Sequence, residues 1–217
     1  MTKPQSPLRL SLQTAAVMML FTLVFTAVMA GTYKATQNTI AASAEAEKLQ
    51  LINQILPPQS YDNKLLQDAL TLGPTPELGL DQGGHIWRAR KDGQPVAVVL
   101  EAVAPDGYSG KIRLVIAILA DGKVSGVRIT EHRETPGLGD YIDPKKDRNK
   151  QQPWIAQFSG KSASSPGAEH WKVKKDGGDF AYMTGATISP RAVVAAVARA
   201  VRYEQAQREA LYARTSP

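Results

Sequence analysis

An uninterrupted apolar segment near the N-terminus constrains this chain more than any other feature. Residues 10–33 read LSLQTAAVMMLFTLVFTAVMAGTY and contain no charged side chain. At about 1.5 Å per residue, a helix of this length spans about 36 Å, enough to cross a hydrocarbon core about 30 Å thick. The sequence therefore predicts a transmembrane anchor over residues 10–33. A cleaved signal peptide is the alternative, because Val28-Met29-Ala30 before Gly31 resembles a cleavage site with small residues.

The basic residues before this segment predict its orientation. Lys3 and Arg9 precede the span, and no acidic residue does. Because positively charged flanks stay on the cytoplasmic side, residues 1–9 are expected to form a cytoplasmic N-terminus. Everything from Lys34 onward is then expected to lie outside the cytoplasm.

Two further parts are predicted after the anchor. Apolar residues at helical spacing over 34–58 predict a helical stalk, which the Pro57-Pro58 pair is expected to end. Residues 59–217 are long enough for one globular domain. These boundaries predict a stalk that joins the anchor to an extracytoplasmic domain.

Hairpin patterns indicate the fold class of this domain. Residues 85–103 and 110–130 each contain two β-rich runs around a turn, at 91–93 and 120–122. A final helix is predicted from about residue 190 to residue 214, because Val193, Val194, Val197 and Val201 fall on one helical face. A sheet with helices at its ends is typical of the α+β class. We therefore predict an antiparallel sheet with flanking helices, preceded by one N-terminal transmembrane helix.

Composition excludes several kinds of site. The chain has no cysteine, which excludes disulfides, thiolate zinc sites, cysteine-ligated iron–sulfur clusters and c-type haem attachment. His85, His132 and His170 are far apart in sequence and have no metal-ligand spacing. The net charge of +6 is mild, and no stretch resembles a nucleic-acid-binding module. No Gly-x-Ser-x-Gly motif supports a hydrolase. Any redox chemistry would therefore need an organic cofactor.

A Thr-Gly-Ala-Thr sequence stands directly before the last predicted helix, in MTGATISPRAVV at 183–194. Ser189 is the expected N-cap, and Pro190 suits the first helical position. A helix start needs neither Thr184 nor Thr187. A flexible turn that contains two threonines is one interpretation, and a site with a chemical role is the other.

A second unusual segment, HRETPGLGD at 132–140, follows the fourth predicted strand. Pro136 and Gly137 are the residues that a type II turn prefers at its two central positions. A turn does not explain Gly139, which suggests that the backbone passes close to a flat or bulky group. Leu138 could offer its side chain to the same group, so a ligand-binding loop is a second interpretation.

Three segments of this chain together resemble one protein family. They are residues 107–140, 154–160 and 183–197, which carry GYSGK, WIAQFSG and MTGATISPRAVVAAV. The chain is similar over essentially its whole length to the FMN-binding, G-type subunit of the Rnf/Rsx electron-transport complex. That family is related to the C-type subunit of the sodium-pumping NADH:quinone reductase.

The resemblance implies a site. In this family the last hydroxyl residue of the Ser/Thr-Gly-Ala-Thr motif is esterified through the FMN phosphate by a flavin transferase, and that residue is Thr187 here. The family usually has an acidic residue where this chain has Ala181, with Asp179 two positions earlier. The other residues implied at the flavin are Thr184, Gly185, Ala186, Glu134, Thr135, Pro136, Gly137, Leu138 and Gly139.

The resemblance also implies a function. The chain is expected to be a membrane-anchored flavoprotein subunit that relays electrons through covalent FMN in an ion-translocating oxidoreductase complex of the bacterial inner membrane. Its expected partners are the other membrane subunits and, during maturation, the flavin transferase. It is expected to contain no catalytic residue, to bind no metal or nucleic acid and to have no turnover in isolation. The rival hypothesis is an anchored extracytoplasmic binding or scaffold module without a cofactor.

Several side chains near these motifs keep two interpretations each. Glu134 is either a solvated loop acid or a hydrogen-bonding partner of the flavin edge. Three aromatic residues are either core residues or neighbours of the flavin ring: Trp154, Phe158 and Tyr182. Three lysines either balance the phosphate charge or form a solvated face: Lys172, Lys174 and Lys175.

Overall fold

A computed structural model describes residues 7–213, apart from the side chain of Ala41. Lys3, on which the predicted orientation partly rests, and Arg214, the predicted end of the last helix, lie outside the described residues. The chain divides into two compact units between Lys48 and Leu49.

The first unit consists of most of α1 (Pro7–Asn53), the long N-terminal helix. By length and composition α1 can cross a membrane, as predicted. Its hydroxyl side chains suit an apolar environment, because residues such as Thr14 and Thr22 donate to the carbonyl four residues earlier.

The end of α1 differs from the prediction. The helix ends at Asn53, before the Pro57-Pro58 pair, so the prolines do not end it. The amides of Ile55 and Leu56 both donate to the Ile52 carbonyl, at 2.9 and 2.8 Å, which tightens the last turn. The side chains of Ile55 and Leu56 are buried in the core of the second unit, which accounts for the early end.

The second unit is built on one five-stranded antiparallel sheet whose strands pair in sequence order. The predicted hairpin turns at 91–93 and 120–122 are confirmed. The first strand was not predicted, because it has only four residues and lies in a polar, loop-rich stretch. The strands are β1 (Ala69–Leu72), β2 (Gly84–Lys91), β3 (Gln94–Gly107), β4 (Gly110–Leu119) and β5 (Val124–Glu131).

Both faces of the sheet are covered. One face packs against α2 (Ile188–Tyr212), whose buried Val193 and Val197 confirm the predicted apolar face. Ile55 and Leu56 belong to a separate cluster of buried side chains, which includes residues of β2, β3 and β4. These strands therefore bury alternate side chains in two separate cores, and the predicted α+β class is confirmed.

The start of α2 also differs from the prediction. The helix begins at Ile188, with Thr187 at the N-cap position, so Pro190 is not the first helical residue. Ser189 lies inside the first turn and is buried, so it is not the N-cap. Within the described residues the helix ends at Tyr212.

A long connection of short 3₁₀ segments joins β5 to α2. Its core is aromatic: Phe158 packs against Phe180 and Trp154, with ring centroids 5.0 and 5.5 Å apart. This packing gives rigid support to a region that has little regular structure. The connection contains both unusual sequence motifs and places them near the first turn of α2.

Candidate functional site

Both sequence motifs line one surface cavity of about 230 Å³. It lies where the β3–β4 turn, the loop after β5, the Thr-Gly-Ala-Thr turn and the start of α2 meet. Three of the predicted site residues are not in its lining: Thr184, Pro136 and Gly137. The lining residues are Tyr108, Glu134, Thr135, Leu138, Gly139, Gly185, Ala186, Thr187, Ile188 and Ser189.

The loop after β5 forms the turn that its sequence predicts. The Thr135 carbonyl accepts hydrogen bonds from the amides of Leu138 and Gly139, both at 3.1 Å. Gly137 has a φ of 77°, which a type II turn requires at this position. Asp140, itself buried, accepts a hydrogen bond from the Gly137 amide at 2.9 Å. The loop is therefore held in part by a hydrogen bond between two of its own residues.

Glu134 forms part of the floor of the cavity. It is 4% exposed, so the interpretation as a solvated loop acid is wrong. The Ser189 hydroxyl donates a short hydrogen bond to one carboxylate oxygen, and the Ser109 amide donates to the other at 3.2 Å. These donors compensate for the burial of a polar group. They also explain why Ser189 does not cap the helix: its hydroxyl points to the carboxylate.

The backbone of Gly139 lies close to two other side chains, which leaves no room for a Cβ atom. A Cβ at this position would lie 2.5 Å from the Ser189 hydroxyl oxygen and 2.9 Å from a carboxylate oxygen of Glu134. The group that the backbone approaches here is the Glu134–Ser189 pair. The expected approach to a flat or bulky ligand stays a prediction.

The Thr-Gly-Ala-Thr segment starts with a closed turn. The Ala186 amide donates to the Met183 carbonyl at 3.0 Å, and Gly185 has a φ of 87°. The hydroxyl of Tyr141 accepts from the Met183 amide at 2.9 Å and donates to the Ala186 carbonyl at 3.2 Å. Burial raises the pKa of Tyr141, so its hydroxyl keeps its proton at neutral pH.

Thr187 follows this turn and occupies the N-cap position of α2. Its carbonyl accepts the first helical hydrogen bond, from the Arg191 amide at 3.1 Å. Its side chain is half-buried, lines the cavity and makes no capping hydrogen bond. An anion bound to this hydroxyl would lie beside the positive end of the helix dipole, where backbone N–H groups have no helical partner.

Exposed apolar side chains surround the cavity. Within the described part of the second unit, the large hydrophobic side chains that are exposed are Tyr108, Leu138 and Ile188, at 67%, 51% and 44%. All three line this cavity. Sequence reasoning missed Tyr108 and Ile188, because only the fold brings the β3–β4 turn and the helix start together. Exposed apolar surface around a concave site is typical of a ligand site.

Other residues singled out in the sequence lie elsewhere. Trp154, Phe158 and Tyr182 belong to the core or pack against it, so the interpretation as core residues is confirmed. Beside the lysines, Asp176, which the sequence did not single out, forms a bidentate ion pair with Arg191 at 2.6 and 2.8 Å, and this contact lowers the pKa of Asp176. The three lysines are exposed and do not line the cavity: Lys172, Lys174 and Lys175.

Two family models match this chain. Residues 107–202 match the FMN-binding domain, and residues 7–55 match the RnfG N-terminal region. The first match contains all the residues that line the cavity.

Curated proteins named as the G-type subunit of an ion-translocating oxidoreductase complex are similar over most of the chain. The protein from Escherichia coli (strain K12) is 48% identical over 187 residues, which cover 86% of this chain and 87% of the relative. The one from Pseudoalteromonas atlantica is 41% identical over 196 residues, covering 90% and 89%. A Vibrio cholerae protein is 41% identical over 201 residues, covering 93% of each.

Proposed function

We propose a function from one premise: the chain belongs to the family of G-type subunits of ion-translocating oxidoreductase complexes. It is therefore an FMN-binding flavoprotein subunit of such a complex. We infer further that FMN is bound covalently, as a phosphoester on Thr187, and that the domain relays electrons between other subunits. A flavin transferase would attach the FMN during maturation.

One observation carries this proposal: the predicted acceptor hydroxyl lies in a cavity surrounded by exposed apolar side chains. Thr187 lines the cavity together with Tyr108, Leu138 and Ile188. The phosphate of FMN needs a site that favours an anion, and the isoalloxazine ring needs flat apolar surface. The start of α2 supplies the first, and the three apolar side chains supply the second.

The size of the cavity fits a cofactor that is only partly enclosed. About 230 Å³ is below the roughly 300–1,000 Å³ of sites that enclose a small molecule. A ligand of the size of FMN would extend from the cavity over the exposed rim. Bound FMN supplies electron transfer, and this chain's residues bind it, orient it and set its electrostatic surroundings.

Glu134 is the residue that we expect to tune the cofactor. Its buried carboxylate lines the cavity and is held by Ser189 and Ser109. A negative charge near the ring opposes the addition of electrons, because like charges repel. Glu134 should therefore lower the reduction potential of the cofactor.

We propose that α1 anchors the protein in the bacterial inner membrane. Its apolar length supports this, and the basic residues Lys3 and Arg9 support a cytoplasmic N-terminus and an extracytoplasmic domain. In that compartment a covalent bond prevents loss of a cofactor that cannot be replaced from a cytoplasmic pool. Protease added to spheroplasts should digest the FMN-binding domain, and digestion only after lysis would contradict the orientation.

The attachment site can be tested by mass spectrometry. The full-length protein is co-expressed with a flavin transferase, digested with trypsin, and the peptide Asp176–Arg191 is fragmented. The expected result is FMN on Thr187, with Thr184 unmodified. A wild-type peptide without FMN would contradict the covalent proposal and favour the scaffold hypothesis, and FMN on Thr184 would contradict the assignment.

A further inference from the structure

We propose that Tyr141, Trp154 and Gln157 act as positioning residues for flavin attachment. They hold residues 181–187, here called the acceptor segment, in the conformation in which Thr187 can react. This inference rests on the proposed covalent attachment at Thr187. It adds that the flavin transferase uses the folded domain as its substrate, and not an unfolded stretch of chain.

Tyr141 holds the middle of the acceptor segment. Its hydroxyl accepts a hydrogen bond from the Met183 amide at 2.9 Å and donates one to the Ala186 carbonyl at 3.2 Å. One oxygen atom therefore ties together both ends of the turn that precedes Thr187. Tyr141 is 5% exposed, so water does not readily replace these bonds.

Trp154 and Gln157 hold the start of the acceptor segment. The indole Nε1 of Trp154 donates to the Ala181 carbonyl at 2.6 Å. The side-chain oxygen of Gln157 accepts from the Ala181 amide at 2.8 Å. The carbonyl and the amide of Ala181 are thus both hydrogen-bonded by side chains of the WIAQF segment, which lie three positions apart. This arrangement gives the WIAQFSG motif a role that its sequence does not reveal.

The three positioning residues form one packed unit. The rings of Tyr141 and Trp154 meet edge to face, with centroids 5.7 Å apart, and Trp154 packs in the same way against the buried Phe158. Gln157 also donates to the Trp154 carbonyl at 2.9 Å, which fixes its own side chain. Movement of this unit would disturb the aromatic core, so the acceptor segment is held against a rigid support.

Tyr182 and Ala186 pack against the core, but the rest of the acceptor segment has little packing of its own. Ala181, Thr184 and Gly185 are exposed, and Gly185 has no Cβ to pack against anything. Among the described residues, the side-chain hydrogen bonds to this segment come from the three positioning residues. Without them, the φ of 87° at Gly185 would be one of many conformations open to glycine.

A fixed segment matters because attachment is a phosphoryl transfer. The hydroxyl oxygen of Thr187 forms a bond to the FMN phosphorus, and the hydroxyl proton leaves to a base of the transferase or to water. Direct condensation of the hydroxyl with free FMN releases a water molecule, which is unfavourable in aqueous solution. The donor is therefore FMN activated through a pyrophosphate bond, as in a flavin dinucleotide. That bond breaks, and the nucleoside monophosphate leaves. In-line attack needs the oxygen within about 3–3.5 Å of phosphorus, and a displacement of about 1 Å can cost about 100-fold in rate.

The test compares the deletion of one hydroxyl group at each of two tyrosines. Tyr141→Phe removes both hydrogen bonds and keeps the ring. Tyr182→Phe is the matched control, because Tyr182 belongs to the acceptor segment and packs against the core, but its hydroxyl makes none of the hydrogen bonds that hold the segment. Purified full-length proteins in detergent are incubated with a flavin transferase and flavin adenine dinucleotide, and the mass increase is followed with time.

The expected result is a rate of FMN incorporation about tenfold or more below wild type for Tyr141→Phe, and within about twofold of wild type for Tyr182→Phe. Hydrogen exchange of the Met183 and Ala186 amides should rise in Tyr141→Phe, while exchange along α2 stays unchanged. A purely structural role would lower the melting temperature without this local change. Incorporation at the wild-type rate in folded Tyr141→Phe would overturn the inference.

A second variant covers the case in which Tyr141→Phe does not fold. Trp154→Phe keeps an aromatic ring between Tyr141 and Phe158, although a smaller one, and removes the Nε1 hydrogen bond to Ala181. It should also slow incorporation while the circular dichroism spectrum stays native, and an unchanged rate would overturn the inference. A wild-type protein that takes up no FMN would instead contradict the proposed function, so the two failures are distinguishable.

Discussion

The two motifs that meet at the cavity contain similar turns but are held in place differently. Each has a glycine in the left-handed region, Gly137 at a φ of 77° and Gly185 at 87°. The loop after β5 carries its own anchors, the buried carboxylates of Glu134 and Asp140. The turn before Thr187 is held by residues of another segment, through hydrogen bonds with the side chains of Tyr141, Trp154 and Gln157.

Because the two turns are held differently, we expect substitutions in the loop after β5 to change mainly stability and substitutions in the acceptor segment to change mainly flavin attachment. Substitutions inside the self-anchored loop should disturb packing, because Glu134, Gly139 and Ser189 occupy one buried contact. Substitutions at the exposed positions of the acceptor segment should disturb the fold less, because Ala181, Thr184 and Gly185 pack against little. The four predictions below test this separation, beginning with the largest effect.

Thr187→Ala should remove all covalent flavin and leave the free energy of unfolding within about 0.5 kcal/mol of wild type. The Thr187 side chain makes no capping hydrogen bond, so its loss costs little. In-gel fluorescence under ultraviolet light and intact mass measure attachment, and urea denaturation measures stability. Thr184→Ala is the control, since it should still carry FMN on Thr187. A fluorescent band from Thr187→Ala would contradict the prediction.

Gly139→Val should destabilise the domain by about 3 kcal/mol, because the added atoms overlap the Glu134–Ser189 pair. Gly185→Ala should cost only about 1–2 kcal/mol, since a Cβ there meets no atom within 4 Å and only the positive φ opposes it. Urea denaturation of both variants gives the comparison. Equal losses would mean that the two turns are not anchored differently.

Glu134→Gln should raise the reduction potential of the bound FMN, because it removes a buried negative charge and keeps the side-chain shape. A change of about 1.4 kcal/mol corresponds to about 30 mV for a two-electron couple, which is the magnitude that we expect. Spectroelectrochemical titration measures the shift. Glu131→Gln, an exposed acid outside the cavity lining, should leave the potential unchanged. A lower potential in Glu134→Gln would contradict the proposed tuning role.

The smallest expected effect is a pH dependence. Burial raises the pKa of Tyr141, so above pH 10 the unfolded chain loses this proton before the folded protein does. Stability from the neutral hydroxyl is fully present below about pH 10 and is lost as the pH rises through the folded pKa. Wild type should therefore lose stability more steeply than Tyr141→Phe as the pH rises above about 10. Parallel curves would show that the Tyr141 hydroxyl does not couple to folding.

The sequence predicts the elements that local rules determine. The hairpin turns at 91–93 and 120–122 contain Asp-Gly pairs, and β-rich runs flank both turns. The turn at Pro136-Gly137 has the residues that its backbone requires. The apolar face of α2 follows from helical spacing. In each case the deciding residues are within a few positions of the structure that they determine.

The missed features depend on contacts between distant segments. Ser189 has every local property of an N-cap, but Glu134 offers its hydroxyl a stronger, charged acceptor from 55 positions away. Tyr141 lies 42 and 45 positions before the turn that it bonds. Nothing near Tyr108 in the sequence indicates that the β3–β4 turn reaches the cavity. Such placements need the topology of the sheet.

The shallow, open cavity beside Thr187 has a consequence for how strongly the ring must bind. A tether through this hydroxyl would keep the ring at an effective concentration of about millimolar, as for other short linkers. A site with only millimolar intrinsic affinity would then be about half occupied. The ring could leave the surface of Tyr108 and Leu138 for an adjacent electron carrier and return without being lost. Covalent attachment would thus allow weak, rapidly reversible docking, which a dissociable cofactor could not combine with permanent retention.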